Sequence, residues 1–150
     1  MKIQELHNKA MELADKADIL KMQGNADESS VVFQQSLEAE REAAFAARQQ
    51  QVGEPTESVL FRSAASLAFT IGDYREAERL VCQGLAGNPP SEIAEELRNL
   101  YDAVSMERNM LQMESKATSN AHENVTITIP IQERNLLHVL VKKFGWACVF

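Results

Sequence analysis

Apolar side chains recur at steps of three and four along most of this chain. Ile3, Leu6, Ala10, Leu13, Ala17 and Leu20 open the pattern, which gives a helix with one buried seam. Gly24-Asn25 interrupts it, and Asp27 is placed to cap a second helix carrying Val32, Phe33, Leu37, Ala44 and Ala47, with no breaker before Gly53 and Pro55. Thr56 is the expected cap of a third, whose stripe is Leu60, Ala64, Leu67, Ala68 and Ile71. The fourth starts behind Asp73, buries Ala77, Leu80, Val81 and Leu85, and stops at Gly87-Asn88-Pro89-Pro90, because proline cannot continue a helix. Behind Ser91, Ile93, Leu97, Leu100, Val104 and Leu111 make a fifth stripe to about Met113. The methionines beside it, Met106, Met110 and Met113, are expected to fill gaps in a helix interface, with an adaptable binding surface as the alternative.

The hinge at Gly72-Asp73-Tyr74 organises the middle of the chain. Gly72 stands where a helix leaves through positive φ, which a side chain resists. Asp73 is the predicted N-cap, and Glu76 three positions on predicts a reciprocal capping box. Ala77 and Gly84 are small enough to let two helix backbones approach closely. The pattern is a helical hairpin, and Gly24 marks a similar hinge in a first hairpin over residues 1 to about 51.

On these residues the chain resembles the tetratricopeptide repeat, a helical hairpin of 34 residues that stacks into a solenoid. With the Gly72-Asp73-Tyr74 turn aligned on the family's turn, residues 57–90 match best. Ala77 then falls on the small position of the second helix, Leu85 on an apolar one, Pro89 on the terminal proline, and Phe61 on the bulky aromatic of the first helix. Ala64, Ala65 and Ala68 stand where a Leu-Gly pair and a tyrosine are common, and the two turn glycines lie 48 residues apart. The resemblance implies paired hairpins capped by the fifth helix, with an inner groove lined by Val59, Arg62, Ser66, Phe69 and Thr70 and, from the first unit, by Met11, Ala14, Asp18, Lys21 and Met22.

Beyond Met113 the character changes. Residues 115–124 are polar without apolar period and read as a linker. Val125, Ile127 and Ile129 alternate with Thr126 and Thr128 as a strand closed by Pro130, and Leu136 to Phe144 follow at helical spacing. The last five residues read as a second strand, making a small β-α-β element over residues 125–150 that docks on residues 1–114 or dimerises through Val125, Ile127, Ile129, Trp146, Val149 and Phe150. The TITIP run and the LLHVLVKKFGW helix resemble the strand-helix tails of small bacterial antitoxin-type and ribbon-helix-helix proteins. That resemblance would make Thr126 and Thr128 base readers and Lys142 and Lys143 phosphate contacts.

Charge and composition narrow the function. The formal net charge is -7; residues 1–118 hold 12 basic and 20 acidic side chains, and residues 119–150 hold 3 and 2. An acidic helical part disfavours nucleic acid as a partner, since phosphate binding needs clustered Lys and Arg. No run approaches membrane-spanning length, and no export signal opens the sequence, so Cys82 and Cys148 are read as thiols in a reducing cytoplasm. His7, His122 and His138 stand apart without zinc-ligand spacing, the cysteines form no CxxC, and no Gly-rich phosphate loop follows a strand. Glu38, Glu40, Glu42, Glu95 and Glu96 read as solvated helix faces. The expectation is a mainly α, non-catalytic module without cofactor or metal that binds a protein or peptide, with Arg62→Glu weakening that capture. The alternative is a dimeric regulator whose tail contacts DNA or a partner protein.

Overall fold

The computed structural model describes residues 2–120 of the chain, with side chains to residue 115. Its elements are α1 (Ile3–Met22), α2 (Ala26–Gln49), α3 (Thr56–Thr70), α4 (Tyr74–Ala86) and α5 (Ser91–Asn120). All regular structure among the described residues is therefore helical, in the order the apolar spacing predicts. The chain divides into two compact units, Met1–Glu114 and Ser115–Phe150. The strand-helix-strand element expected at 125–150, with its dimerising and base-reading residues, lies outside the described residues. The helix α5 continues through Asn120 instead of stopping near Met113, so the start of the stretch read as a linker is helical.

The hinges follow one design. After α1, the Asn25 N–H donates to Leu20 O at 2.9 Å and the Gly24 N–H to Lys21 O at 3.1 Å; after α3, Asp73 donates to Ala68 O at 2.9 Å and Gly72 to Phe69 O at 3.0 Å. Both are Schellman turns, in which the residue after the C-cap takes a left-handed conformation. Gly24 and Gly72 do so at φ +84 and +80. The same pair of bonds closes α2, but there the left-handed position is held by Gln51 at φ +53.

Caps depart from expectation in detail. Asp73 caps α4 by accepting from the Glu76 N–H at 3.1 Å. Glu76 does not return the bond, because its carboxylate oxygens lie on Arg41 at 3.3 Å and Arg79 at 3.1 Å. Asp27 lies inside the first turn of α2, whose N-cap is Asn25. Thr56 and Ser91 are likewise the first helical residues of α3 and α5 and not their caps. At α3 the free donor of Ser58 is taken by the Glu54 carboxylate at 3.1 Å.

The core of the first unit runs through all five helices, with Leu37, Phe61, Leu80, Val81, Leu97 and Val104 among its fully enclosed side chains. Helix α2 is its spine, packed on α1 and on α3, while α4 returns against α3. Much of the packing is by small residues: Ala10, Ala17, Ala43, Ala44, Ala47, Ala64, Ala65, Ala68 and Ala77 have no exposure. Small side chains bring backbones close, and buried serines on α2 use that closeness. Ser29 Oγ donates to Ala17 O at 2.8 Å and Ser36 Oγ to Ala10 O at 2.7 Å. Where α3, α4 and α5 meet, a Cβ added to Gly84 would fall 2.9 Å from Leu97 Cδ1 and 3.2 Å from Phe61 Cβ. Gly84 thus gives the close approach its size implies.

Arg48 ties three helices together from the end of α2. Its Nε donates to Glu57 of α3 at 2.7 Å, Nη2 to the Gln83 carbonyl of α4 at 2.7 Å, and Nη1 to the Gln83 side chain. The guanidinium also lies 4.3 Å from the centroid of the Phe61 ring, a cation–π contact. Phe45 meets the same ring edge-on at 5.2 Å. Helix α5 is held by Leu97 and Val104 and by ion pairs from Glu96 to Arg62 and from Arg108 to Glu78. Past Val104 its apolar residues are open: Met106, Met110, Leu111 and Met113 are 46 to 71% exposed. The methionines therefore do not fill an interface in this unit, contrary to the expectation from spacing.

Candidate functional site

Because α1 and α3 both pack on α2, a trough lies between them, and the predicted groove residues fall along it unequally. At one end a recess of about 330 Å³ is lined by Ile3, Gln4 and His7 of α1 and by Pro55, Thr56, Val59 and Leu60. At the other end Lys21, Ala26, Ser29, Ser30, Phe33, Thr70 and Ile71 line a second recess of about 190 Å³. Val59, Lys21 and Thr70 are thus brought into recesses shared by the two helices. Between them Ser66 and Asp18 are exposed, and Met22 stands 80% exposed beyond. The second recess is smaller than the roughly 300 to 1,000 Å³ of small-molecule pockets and the first lies at the bottom of that range, so each has room for about one large side chain.

Other predicted groove residues serve the fold. Arg62 is committed to Glu96 of α5, so Arg62→Glu would set two carboxylates together and disturb packing as well as recognition. Phe69 is half-buried against Tyr74, with ring centroids 5.6 Å apart. Met11 and Ala14 are partly buried and packed on the core. The Thr70 hydroxyl donates to Ser66 O at 2.9 Å, within its own helix.

Sequence reading missed one unusual side chain enclosed behind the recess-lining His7. Glu40, read as part of a solvated face, is fully buried on α2, and His7, read as isolated, meets both its oxygens through Nδ1 at 2.9 and 3.0 Å. Burial raises the Glu40 carboxyl above its ordinary range, partly opposed by the bonds and charge of His7 and by a hydrogen bond from Ser63 of α3. The signal was present in the spacing: Leu37, Glu40, Ala44 and Ala47 continue one stripe at three-four-three, so a carboxylate there had to be enclosed.

Among the described residues, no three His, Cys, Asp or Glu side chains converge as metal ligands. None of their buried side-chain polar atoms lacks a hydrogen-bond partner. Cys82 is an exposed free thiol on α4. No helix among these residues is long and apolar enough to cross a membrane. Comparison with protein-family models, with curated proteins and with solved structures returned no match.

Proposed function

We propose that this chain is a non-catalytic protein-interaction module, a tetratricopeptide-like scaffold that receives a peptide or helix of a protein partner in the trough between α1 and α3. The observation that carries this reading is the pair of recesses at the two ends of the trough, each walled by both helices, with the exposed Ser66 and Asp18 between them. Along α3 the recesses are separated by the eleven positions from Val59 to Thr70, about 16 Å at the helical rise. That span matches three turns of a bound helix or about five residues of extended chain. Two side chains seated in the recesses would provide anchors, and the exposed surface between them would provide register.

The test uses two blocking substitutions and one control. Ser66→Arg fills the middle of the trough and Val59→Asp places a charge in the first recess, whereas Arg75→Glu changes an exposed position on α4. Affinity capture with quantitative mass spectrometry should show a protein retained by the wild type and by Arg75→Glu. Its recovery should fall by more than about tenfold in both trough variants, the scale of an interface hot spot, with unchanged circular dichroism. Equal recovery on all four proteins would refute recognition through this trough.

A further inference from the structure

Helix α5 carries two apolar stripes that meet different surroundings. Leu97 and Val104 face the core and are fully buried. Met106, Met110 and Met113 recur at steps of four and three; at about 100° per residue they fall on the opposite side of the helix, and all three are exposed. Leu111 extends the inner stripe and is exposed as well, so this end of α5 stands clear of the core on both sides. A thioether stripe at heptad spacing is a surface that a second helix fits, with knobs of one seated in holes of the other. Methionine, unbranched and polarizable, adapts to the detail of what it meets.

Charge decides which helix that is. Asp102 flanks the stripe on one side, Glu107 and Glu114 on the other, and neither Asp102 nor Glu107 enters an ion pair among the described residues. The nearest base on the helix, Arg108, is held by Glu78 of α4, and Arg98 lies two turns before Met106. From Ser91 to Glu114 the helix carries six carboxylates against those two arginines. A second copy of the chain would bring carboxylate against carboxylate, and nucleic acid or an anionic membrane would be repelled in the same way.

We propose that the outward stripe of α5 is a docking surface for a basic amphipathic helix of a partner protein. The apolar face of that helix covers Met106, Met110 and Met113, and its flanking Lys or Arg side chains reach Asp102 on one side and Glu107 on the other. The methionines supply the contact area over about 10 Å of helix, two turns. The carboxylates supply selection: exposed ion pairs contribute little singly, but exchanging several attractions for repulsions is expected to be worth about tenfold in affinity. This surface is separate from the trough between α1 and α3 and does not depend on it.

The test uses a fluorescent synthetic helix of three heptads, with Leu at the apolar positions and Lys on both flanks, and a twin with Glu on both flanks. Each is titrated with the full chain and read by anisotropy. The basic probe should bind at least about tenfold more tightly than its twin and should weaken as salt is raised, since exposed charges are screened. Met106→Ala, Met110→Ala and Met113→Ala together should weaken it about tenfold or more with unchanged circular dichroism and melting, because these side chains lie outside the core. Asp102→Lys with Glu107→Lys should reverse the preference between the two probes, and Ser66→Arg in the trough should change nothing. Equal binding of the two probes, binding of neither, or wild-type affinity in the triple variant would overturn the proposal. So would loss of the probe in Ser66→Arg, which would seat it in the trough. A dimer of the isolated chain by light scattering that the triple variant dissolves would assign the stripe to a second copy instead. Methionines that resist peroxide in the isolated monomer would show it already covered, and either result refutes docking of a basic helix here.

Discussion

Adding one methyl group at Gly84 sets two effects of opposite sign against each other. Alanine is the better helix former by about 1 kcal/mol in a helix interior, and Gly84 lies within α4. Against this, the new Cβ would fall 2.9 and 3.2 Å from the two Leu97 methyls and 3.2 Å from Phe61 Cβ. Leu97 and Phe61 are both fully buried, so the leucine can rotate only into occupied space, and a Cβ cannot move without its backbone. Overpacking of this kind costs about 1 to 3 kcal/mol, so the net loss should be about 1 kcal/mol. For a unit of this size that lowers the melting temperature by about 3 to 6 °C. Urea unfolding and calorimetry on the wild type, Gly84→Ala, Leu97→Ala and the double variant measure it. Leu97→Ala alone should cost about 2 to 5 kcal/mol, and in the double variant the added methyl finds room, so the two losses should sum to less than expected. A Gly84→Ala protein that melts higher than the wild type would mean that α4 and α5 are not packed through this contact.

Glu40 gives a stability difference with a definite sign. Its carboxyl is raised in the folded state above the ordinary 4.5, so the folded chain binds this proton more tightly than the unfolded chain. The stability this contributes is complete below about pH 4.5 and is lost as pH rises through the raised value. The stability of the wild type minus that of Glu40→Gln, measured by denaturant unfolding, should therefore fall across that interval; a rise would contradict the burial. Gln51→Gly should stabilise by about 0.5 kcal/mol, relief of a left-handed side chain less the entropy of glycine, whereas Gly72→Ala should cost about 1 kcal/mol; thermal melts read both. Arg48→Ala should cost about 1 to 3 kcal/mol through its lost hydrogen bonds and ring contact, and Arg48→Lys should recover little, because an ammonium cannot fork to Glu57 and Gln83 together; urea midpoints decide.

What could be read from the sequence was local. Gly24 and Gly72 fix their turns because only the residues immediately around them set the backbone, and the three-four spacing of Leu60, Ala64, Leu67 and Ala68 placed a buried face correctly. Asp73 caps α4 as its spacing implies, whereas the caps expected at α2, α3 and α5 fell a residue or two inside the helix; Asn25 outcompetes Asp27, and Thr56 and Ser91 follow prolines that already lead into the first turn. Pairings between helices were least legible. Arg62 looked free for a partner until α5 brought Glu96 beside it, and no local pattern says that the exposed end of α5 turns three methionines outward. Glu40 was the exception that could have been caught, since its stripe demanded enclosure even though its partner lies 33 residues away.

The α1–α2 hairpin also has a question of alignment that its serines leave open. Ser29 and Ser36 are seven residues apart, as are their acceptors Ala17 and Ala10; were α1 to slide by two turns, Ser36 could bond the Ala17 carbonyl and an alanine surface would still meet an alanine surface. Glu40 would then stand opposite Ala14 in place of His7, a buried carboxyl left with the Ser63 hydrogen bond alone. One buried polar pair thus acts as the key that makes the misaligned hairpin costly, securing fidelity of assembly where interchangeable small residues supply only closeness.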